Sequence, residues 1–155
     1  METASSLPLI LAFIGVGLII GLPGIGSAIG TATGGMTTVG ALKKNKGAFG
    51  SYIVLSALPG TQGLYGFGGY FIMQDLLVSD MSLLQGAGIL GAGLGLGLAG
   101  LLSGIFQGRV CASGIDAIGS GNNVFGQTLI MAVFPELYAI VAFAGAFLIR
   151  GIIGV

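Results

Sequence analysis

The sequence predicts an all-α integral membrane protein whose four transmembrane helices form two tandem-duplicated helical hairpins. Three observations predict this fold: an unusually apolar composition, four long apolar stretches and an internal repeat. Of the 155 residues, 54% are hydrophobic and only 6% are charged, and the mean hydropathy is +1.05. Soluble domains carry about 25% charged residues, so this chain has too little polar material to cover a surface facing water. We therefore expect one multi-pass domain over residues 1–155, surrounded by the lipid of the cell membrane.

Polar clusters divide the chain into four apolar stretches, at residues 7–42, 48–74, 83–117 and 124–149. Each stretch exceeds the roughly 20 residues that a helix needs to cross the bilayer core. The apolar runs are continuous and do not alternate, and lipid offers no partner for unpaired backbone groups, so helices are predicted and barrel strands are not. The stretches pair into a first hairpin at 7–76 and a second hairpin at 82–153.

The two hairpins are predicted to be copies of one unit, because the chain repeats itself at a shift of 76 residues. The matched pairs include Gly21/Gly97, Gly24/Gly100, Ser27/Ser103, Pro59/Pro135, Phe67/Phe143 and Phe71/Phe147. Some coincidence is expected with 32 glycines, but a register that holds across both helices and their loop is not. Both copies would run in the same direction through the membrane.

Charge in the connections predicts the orientation of the chain. The first connection, 43–47, contains three lysines, whereas the second contains Asp75 and Asp80. Because an excess of lysine marks the cytoplasmic side, we place loops 43–47 and 119–123 in the cytoplasm and both termini outside. Arg150, near the outer end of the last stretch, counts against this orientation.

Glycine recurs at every fourth residue in the first and third stretches, in the columns Gly26/Gly30/Gly34 and Gly100/Gly104/Gly108. Such columns allow helix backbones to approach closely in lipid. The columns could serve contacts within one chain, or they could line the inner wall of a circle of many hairpins. The sequence leaves both open.

Several classes of function are excluded. Segments 86–91 and 95–100 match the GxGxxG dinucleotide fingerprint, but they lie inside a membrane span without the strand that this motif requires, and no GxxxxGK[ST] loop is present. We therefore expect no nucleotide to bind this chain. The net charge is zero and no basic patch suggests nucleic acid, while a single cysteine, Cys111, rules out an internal disulfide.

Glu136 is the only ionisable residue near the middle of a predicted span, 13 residues after Asn123 and 14 before Arg150. At about 1.5 Å per residue it lies close to the bilayer midplane. A charged group there costs about 2.5 kcal/mol or more. The carboxylate could be structural, but no basic residue lies at a matching depth to neutralise it. A functional role is therefore favoured.

Gln62 also falls near mid-depth, with Thr61 and Tyr65 within one helical turn of it. Pro59 removes a helix hydrogen bond, and the glycine-bearing turn beside it can expose the carbonyl of Leu58. Thr61 could instead bond back to its own helix. Tyr65 could be an interfacial anchor, although it lies deep for that role.

Gln107 is the remaining buried amide, and it reaches the midplane only if the third helix extends beyond the membrane on the cytoplasmic side. Together with Glu136, these groups offer one carboxylate, two amide oxygens, a hydroxyl and a carbonyl. An all-oxygen set with a single negative charge suits a hard monovalent cation. The residues therefore predict a site for one small cation or one proton per chain.

The duplicated hairpin, its glycine-rich odd-numbered helices and its single deep carboxylate resemble the V-type ATPase proteolipid. The resemblance is closest to the K subunit of bacterial sodium-translocating V-type ATPases, and it covers essentially the whole chain. Its sharpest motifs are LPGTQGLYGF in the second helix, GIFQGRV in the third and ELYAI in the fourth.

This resemblance implies a non-catalytic subunit that assembles into a homo-oligomeric rotor ring. It also implies two further partners, a stator membrane subunit with two half-channels and the central-stalk subunits of the ATPase. The Na⁺ ligands that it implies are the side chains of Glu136, Gln62, Gln107 and Thr61 and the backbone carbonyl of Leu58, with Tyr65 hydrogen-bonded to the carboxylate.

One feature departs from a simple duplication, because Glu136 falls opposite Gly60 in the 76-residue register. The first hairpin therefore has no mid-span carboxylate of its own. Three alternatives stay open: a rotor that carries H⁺, an oligomeric channel that works without an ATPase, and a purely structural proteolipid. Arg109 is expected to extend toward the membrane surface or to pair near Asp116 on the same helix.

Overall fold

A computed structural model describes residues 6–154, and this part of the chain is helical throughout apart from short connections. Its α-helices are α1 (Leu7–Ala41), α2 (Phe49–Ala57), α3 (Thr61–Met73), α4 (Leu83–Gly119) and α5 (Phe125–Ile153). A 3₁₀ turn at Leu58–Gly60 joins α2 to α3. The ends of α1, α4 and α5 lie within a few residues of the predicted stretches, which confirms the all-helical prediction.

Three of the described helices, α1, α4 and α5, are long and apolar enough to cross a membrane. The second predicted span is instead divided into segments of 9, 3 and 13 residues. Pro59 interrupts this span, whereas its repeat partner Pro135 lies inside the continuous helix α5. The difference follows from the neighbours: glycine, a poor helix former, follows Pro59, whereas the good helix former Glu136 follows Pro135.

Local sequence explains where the helices begin and end. Pro8 lies in the first turn of α1, where its missing N–H leaves no helical bond unmade. A capping box starts α4: the Ser82 backbone N–H donates to Gln85 Oε1 at 2.8 Å, and the Gln85 N–H donates to Ser82 Oγ at 3.2 Å. Between α4 and α5, Gly121 takes a φ of +94°, a conformation that favours glycine.

The two hairpins pack against each other mainly through α1 and α4, and the two glycine columns meet there. A Cβ atom at Gly26 would lie 2.5 Å from the carbonyl oxygen of Leu101, and one at Gly104 would lie 2.6 Å from the carbonyl carbon of Gly26. No side chain larger than hydrogen fits at these positions. The columns therefore serve contacts within a single chain.

The apolar core forms two clusters, with the polar site described below between them. One cluster, which includes Ile19, Met73 and Leu96, lies toward the chain ends. The other surrounds Tyr52 and Ile115 and lies toward loop 43–47. Cys111 is fully buried in the second cluster, as expected for a small apolar residue.

Ion pairs join the two hairpins at both ends of the molecule. Lys44 Nζ lies 3.4 Å from Asp116 Oδ1, and Arg150 pairs with Asp75 while its Nε donates to the Ile72 carbonyl at 3.2 Å. Of the two alternatives for Arg109, the pairing near Asp116 is wrong, because among the described residues Lys44 contacts that carboxylate.

Arg109 lies instead over the ring of Phe106, with its Cζ 5.1 Å from the ring centre. The predicted sidedness of the loops and termini stays a prediction, and residues 1–5 and 155 lie outside the described part.

Candidate functional site

Helix α5 presents Glu136 to α3 and α4, which bind its carboxylate from two sides. The Tyr65 hydroxyl donates to Oε1 at 2.8 Å, and Gln107 Nε2 donates to Oε2 at 3.0 Å. The Glu136 side chain is only half-buried, so one side of it faces outward from the chain. The resemblance implied the Tyr65 bond and placed Gln107 in the same site. The interfacial alternative for Tyr65 is wrong, because its hydroxyl contacts the carboxylate.

The two predicted amides lie behind the carboxylate and are fully buried. Gln62 Nε2 donates to Gln107 Oε1 at 2.9 Å, and Gln107 Nε2 also donates to the Ala132 carbonyl at 3.0 Å. Helix α4 extends to Gly119, which brings Gln107 level with Glu136 as the site requires. A continuous polar path therefore runs from α3 through α4 to α5.

The 3₁₀ turn gathers three oxygens at one edge of this path. Thr61 Oγ1 donates to the Leu58 carbonyl at 3.0 Å and lies 3.4 Å from Gln62 Oε1. Thr61 thus bonds back to its own turn, as the alternative interpretation allowed. Its hydroxyl proton is used in this bond, but its lone pairs remain able to face a cation.

The site also includes Ser103, which was not predicted from the sequence. Ser103 Oγ accepts from Gln62 Nε2 at 3.0 Å and donates to the Pro135 carbonyl at 2.8 Å, so it fixes the amide of Gln62 relative to α5. Two signals could have revealed Ser103. It lies one helical turn before Gln107, and it is matched to Ser27 in the 76-residue register.

Packing around the site restricts the tyrosine. The ring of Tyr65 lies 6.2 Å from that of Phe143, centre to centre, at an angle of 35°. A Cβ atom at Gly68 would come within 3.1 Å of the Phe143 ring, so glycine makes room for this contact. On the opposite side, the Gly63 N–H donates to Ser27 Oγ at 2.7 Å and ties α3 to α1.

The charge of the site is a single carboxylate, and the ion pairs of the described residues lie at the two ends of the molecule, not beside Glu136. Within residues 6–154, every buried polar side-chain atom has a hydrogen-bond partner. The neutral groups of the site are therefore ordered, and the Glu136 oxygens have two hydrogen-bond donors but no basic partner within the described residues.

Two segments of the chain, 14–73 and 90–149, match the family of the ATP synthase C-subunit. The chain belongs to this family. The two segments begin and end 76 residues apart, which is the shift of the internal repeat. Each hairpin is thus one copy of the family's unit, and the predicted duplication is confirmed.

Two relatives place the chain more closely within this family. It is 41% identical over 126 residues to the V-type sodium ATPase subunit K of Enterococcus hirae, covering 81% of both proteins. It is 39% identical over 133 residues to the A-type ATP synthase subunit K of Methanocaldococcus jannaschii, covering 86% of this chain but only 58% of that protein. The predicted resemblance to the V-type proteolipid is confirmed, and with it a non-catalytic role in the membrane part of an ATPase.

Proposed function

We propose that the chain is the ion-carrying subunit of the rotor ring of a rotary V-type ATPase and binds one Na⁺ at Glu136. The main support is the arrangement of oxygens around a single deep carboxylate. Leu58, Thr61 and Gln62 supply three neighbouring oxygens, and Gln107 links them to Glu136. The similarity to the Enterococcus protein, a sodium ATPase subunit, supports the same ion.

The two amides allow the site to accept a cation without moving a helix. An amide presents an acceptor oxygen on one side and a donor nitrogen on the other. Gln107 turns its nitrogen toward Glu136 and its oxygen toward the Gln62 nitrogen, so a half turn of both amides together would bring the Gln107 oxygen to the ion. The carboxylate would then contact the ion, while its second oxygen keeps the bond from Tyr65.

Neutralisation of Glu136 couples ion binding to rotation. A bare carboxylate facing lipid costs at least about 2.5 kcal/mol, whereas a carboxylate paired with Na⁺ is neutral as a unit. In a ring of these chains, only loaded protomers would therefore pass through the lipid. Unloaded protomers would remain against a stator membrane subunit whose two half-channels lead to opposite sides, and the central stalk would turn the ring as ATP is hydrolysed.

A proton is the second candidate for the cargo, and one observation favours it. Gln107 Nε2 and the Tyr65 hydroxyl contact the two Glu136 oxygens, and both contacts can persist when the carboxyl group holds a proton. Under this alternative, Gln62, Gln107 and Thr61 would order the acid by hydrogen bonding and would not act as ligands.

Labelling of Glu136 with a hydrophobic carbodiimide in the purified ring distinguishes the two ions. We expect Na⁺ to slow labelling at every fixed pH, and K⁺ at the same ionic strength to leave the rate unchanged. Labelling that follows pH alone would show that Glu136 carries a proton.

A matched pair of threonine variants tests the ligand set. Thr61→Val removes the hydroxyl from the site, so we expect protection to require more Na⁺. Thr33→Val is the control, because Thr33 Oγ1 donates at 2.7 Å to the Ile29 carbonyl on the exposed surface of α1. Equal protection curves for the two variants would remove Thr61 from the ligand set.

A further inference from the structure

The second hairpin carries an open groove between α4 and α5. The groove has a volume of about 540 Å³, and its walls are almost entirely apolar. Tyr138 stands at its edge with 73% of its surface exposed. Its lining includes Ala99, Leu102, Ser103, Phe106, Phe134 and Tyr138.

The repeat shows what a groove of this kind receives. In the first hairpin, the repeat counterparts of these six lining residues, 76 positions earlier, are Pro23, Gly26, Ser27, Gly30, Leu58 and Gln62. This is the surface of the first hairpin against which α4 packs within the chain. A Cβ atom at Gly100 of α4 would lie 2.8 Å from Pro23 Cβ, and Gln62 bonds Ser103 of α4 at 3.0 Å. The corresponding surface of the second hairpin has no helix against it in the described part of the chain.

The helix face that would complete the groove is present on α1. The α4 residues that pack against the first hairpin correspond, 76 positions earlier, to Gly17, Gly21, Gly24, Ala28 and Ala32. All five are small. A Cβ atom at Gly17, Gly21 or Gly24 would meet nothing within 4 Å, so this face of α1 is open in the single chain.

We propose that the groove receives α1 of a second copy of this chain, so that the contact between copies repeats the contact between hairpins. This inference rests on the proposed ring and specifies the interface between neighbouring copies, called the joint below. It pairs Ala99 with Gly24 of the second copy, because the corresponding residues Pro23 and Gly100 meet within the chain. Contacts then continue from chain to chain in a single direction.

Tyr138 occupies the position at this joint that Gln62 occupies inside the chain, since each lies three residues after the proline of its repeat. Its hydroxyl therefore faces Ser27 and Thr31 of the second copy. Ser27 Oγ accepts from the Gly63 N–H and keeps its proton to donate. Thr31 Oγ1 donates to the Ser27 carbonyl at 2.8 Å and keeps its lone pairs to accept. The Tyr138 hydroxyl can satisfy both.

The joint between copies is consequently polar but uncharged. Where the site inside the chain has Glu136, the joint has Gly60 of the second copy, and where the site has Tyr65 it has Val141. Three hydroxyls without a carboxylate offer no negative charge to balance a cation. Ion sites therefore alternate around the ring with neutral joints that hold the copies together.

Cysteine cross-linking tests the joint in the intact ring. In a Cys111→Ala background, Gly24→Cys and Ala99→Cys are combined in one chain, and the membranes are oxidised. A disulfide needs Cβ atoms about 3.5–4.5 Å apart, and the corresponding positions within the chain lie 2.8 Å apart, so a small shift of the helices brings the two sulfur atoms into range. We expect a ladder of covalent oligomers from the double variant and none from either single variant.

Ile29→Cys with Ala99→Cys is the matched control, because Ile29 is exposed on α1 but lies about 140° around the helix from Gly24. An intact ring without a ladder, or an equal ladder from the control, would overturn the joint and leave the proposed rotor standing. Chains that form no oligomer would overturn both proposals. A ladder from a ring in which Na⁺ fails to protect Glu136 would support the joint and count against the proposed cargo.

The hydroxyl of Tyr138 is tested separately. We expect Tyr138→Phe to lower the temperature at which detergent-solubilised rings fall apart, with protection of Glu136 by Na⁺ unchanged. Tyr70→Phe is the control, since Tyr70 packs against the cluster toward the chain ends. Equal dissociation temperatures for the two variants would overturn the assignment of the Tyr138 hydroxyl.

Discussion

Replacement of Tyr65 with phenylalanine tests whether the hydroxyl on Glu136 holds the carboxylate ready for an ion. The substitution removes one oxygen and leaves the ring against Phe143, so the packing at 6.2 Å is retained. It deletes the 2.8 Å bond to Oε1, while Gln107 still holds Oε2. Because the loaded site keeps this bond too, its loss changes the affinity only through the ordering of the freed carboxylate, which costs about 0.5–1.5 kcal/mol for one side chain. About 1.4 kcal/mol is tenfold in affinity, so the Na⁺ concentration for half-protection should rise by roughly two- to tenfold.

The assay is the rate of carbodiimide labelling of Glu136 as Na⁺ is varied at fixed pH. Tyr70→Phe is again the matched control, because Tyr70 lies on the same helix, is half-buried and loses the same atom. We expect its protection curve to coincide with that of the unaltered chain. A Tyr65→Phe curve that also coincides would refute the reasoning, since the hydroxyl would then contribute nothing to ion binding.

Three further variants test the site and the helix contact. Glu136→Gln keeps the shape of the side chain, so the ring should assemble while ion-coupled ATP hydrolysis falls to background; normal pumping would contradict the mechanism. Ser103→Ala removes one hydrogen-bond partner of the buried Gln62 amide, a loss of about 1 kcal/mol. Half-protection should therefore need about fivefold more Na⁺. Gly26→Ala places a methyl 2.5 Å from the Leu101 carbonyl oxygen and should lower stability to heat by about 1–3 kcal/mol, whereas Gly40→Ala, with nothing within 4 Å, should not. Equal stability of the two glycine variants would show that α1 and α4 pack less closely than described.

Local and periodic features of the sequence predicted most of the fold. The apolar stretches set the limits of α1, α4 and α5, because lipid requires long unbroken helices. A turn beside Pro59 was predicted, since proline beside glycine is a local signal, but the division of the second span at Leu58–Gly60 was not. The continuity of α5 across Pro135 was not, because it depends on the residues that follow the proline.

The candidate site was predicted from residue type and depth, and its members do come together. Depth alone could not find Ser103, whose role depends on its facing Gln62 across the contact between α3 and α4. The same limit applies at Asp116. Sequence proximity allowed Arg109 as one possible partner, whereas the fold brings Lys44 of the other hairpin within 3.4 Å. Contacts between helices depend on rotation about each axis, and a single sequence constrains this rotation weakly.

The first hairpin has no counterpart of the Glu136 carboxylate, and this sets how many ions the proposed motor moves per turn. Glu136 has Gly60 as its repeat counterpart, so a full turn moves one ion for each chain and not one for each hairpin. For a fixed number of ATP molecules per turn, halving the ions doubles the free energy available to each. Moving one charge against 100 mV takes about 2.3 kcal/mol. A ring with one ion per chain is suited to expelling ions against a steep gradient, although it moves fewer ions in each turn.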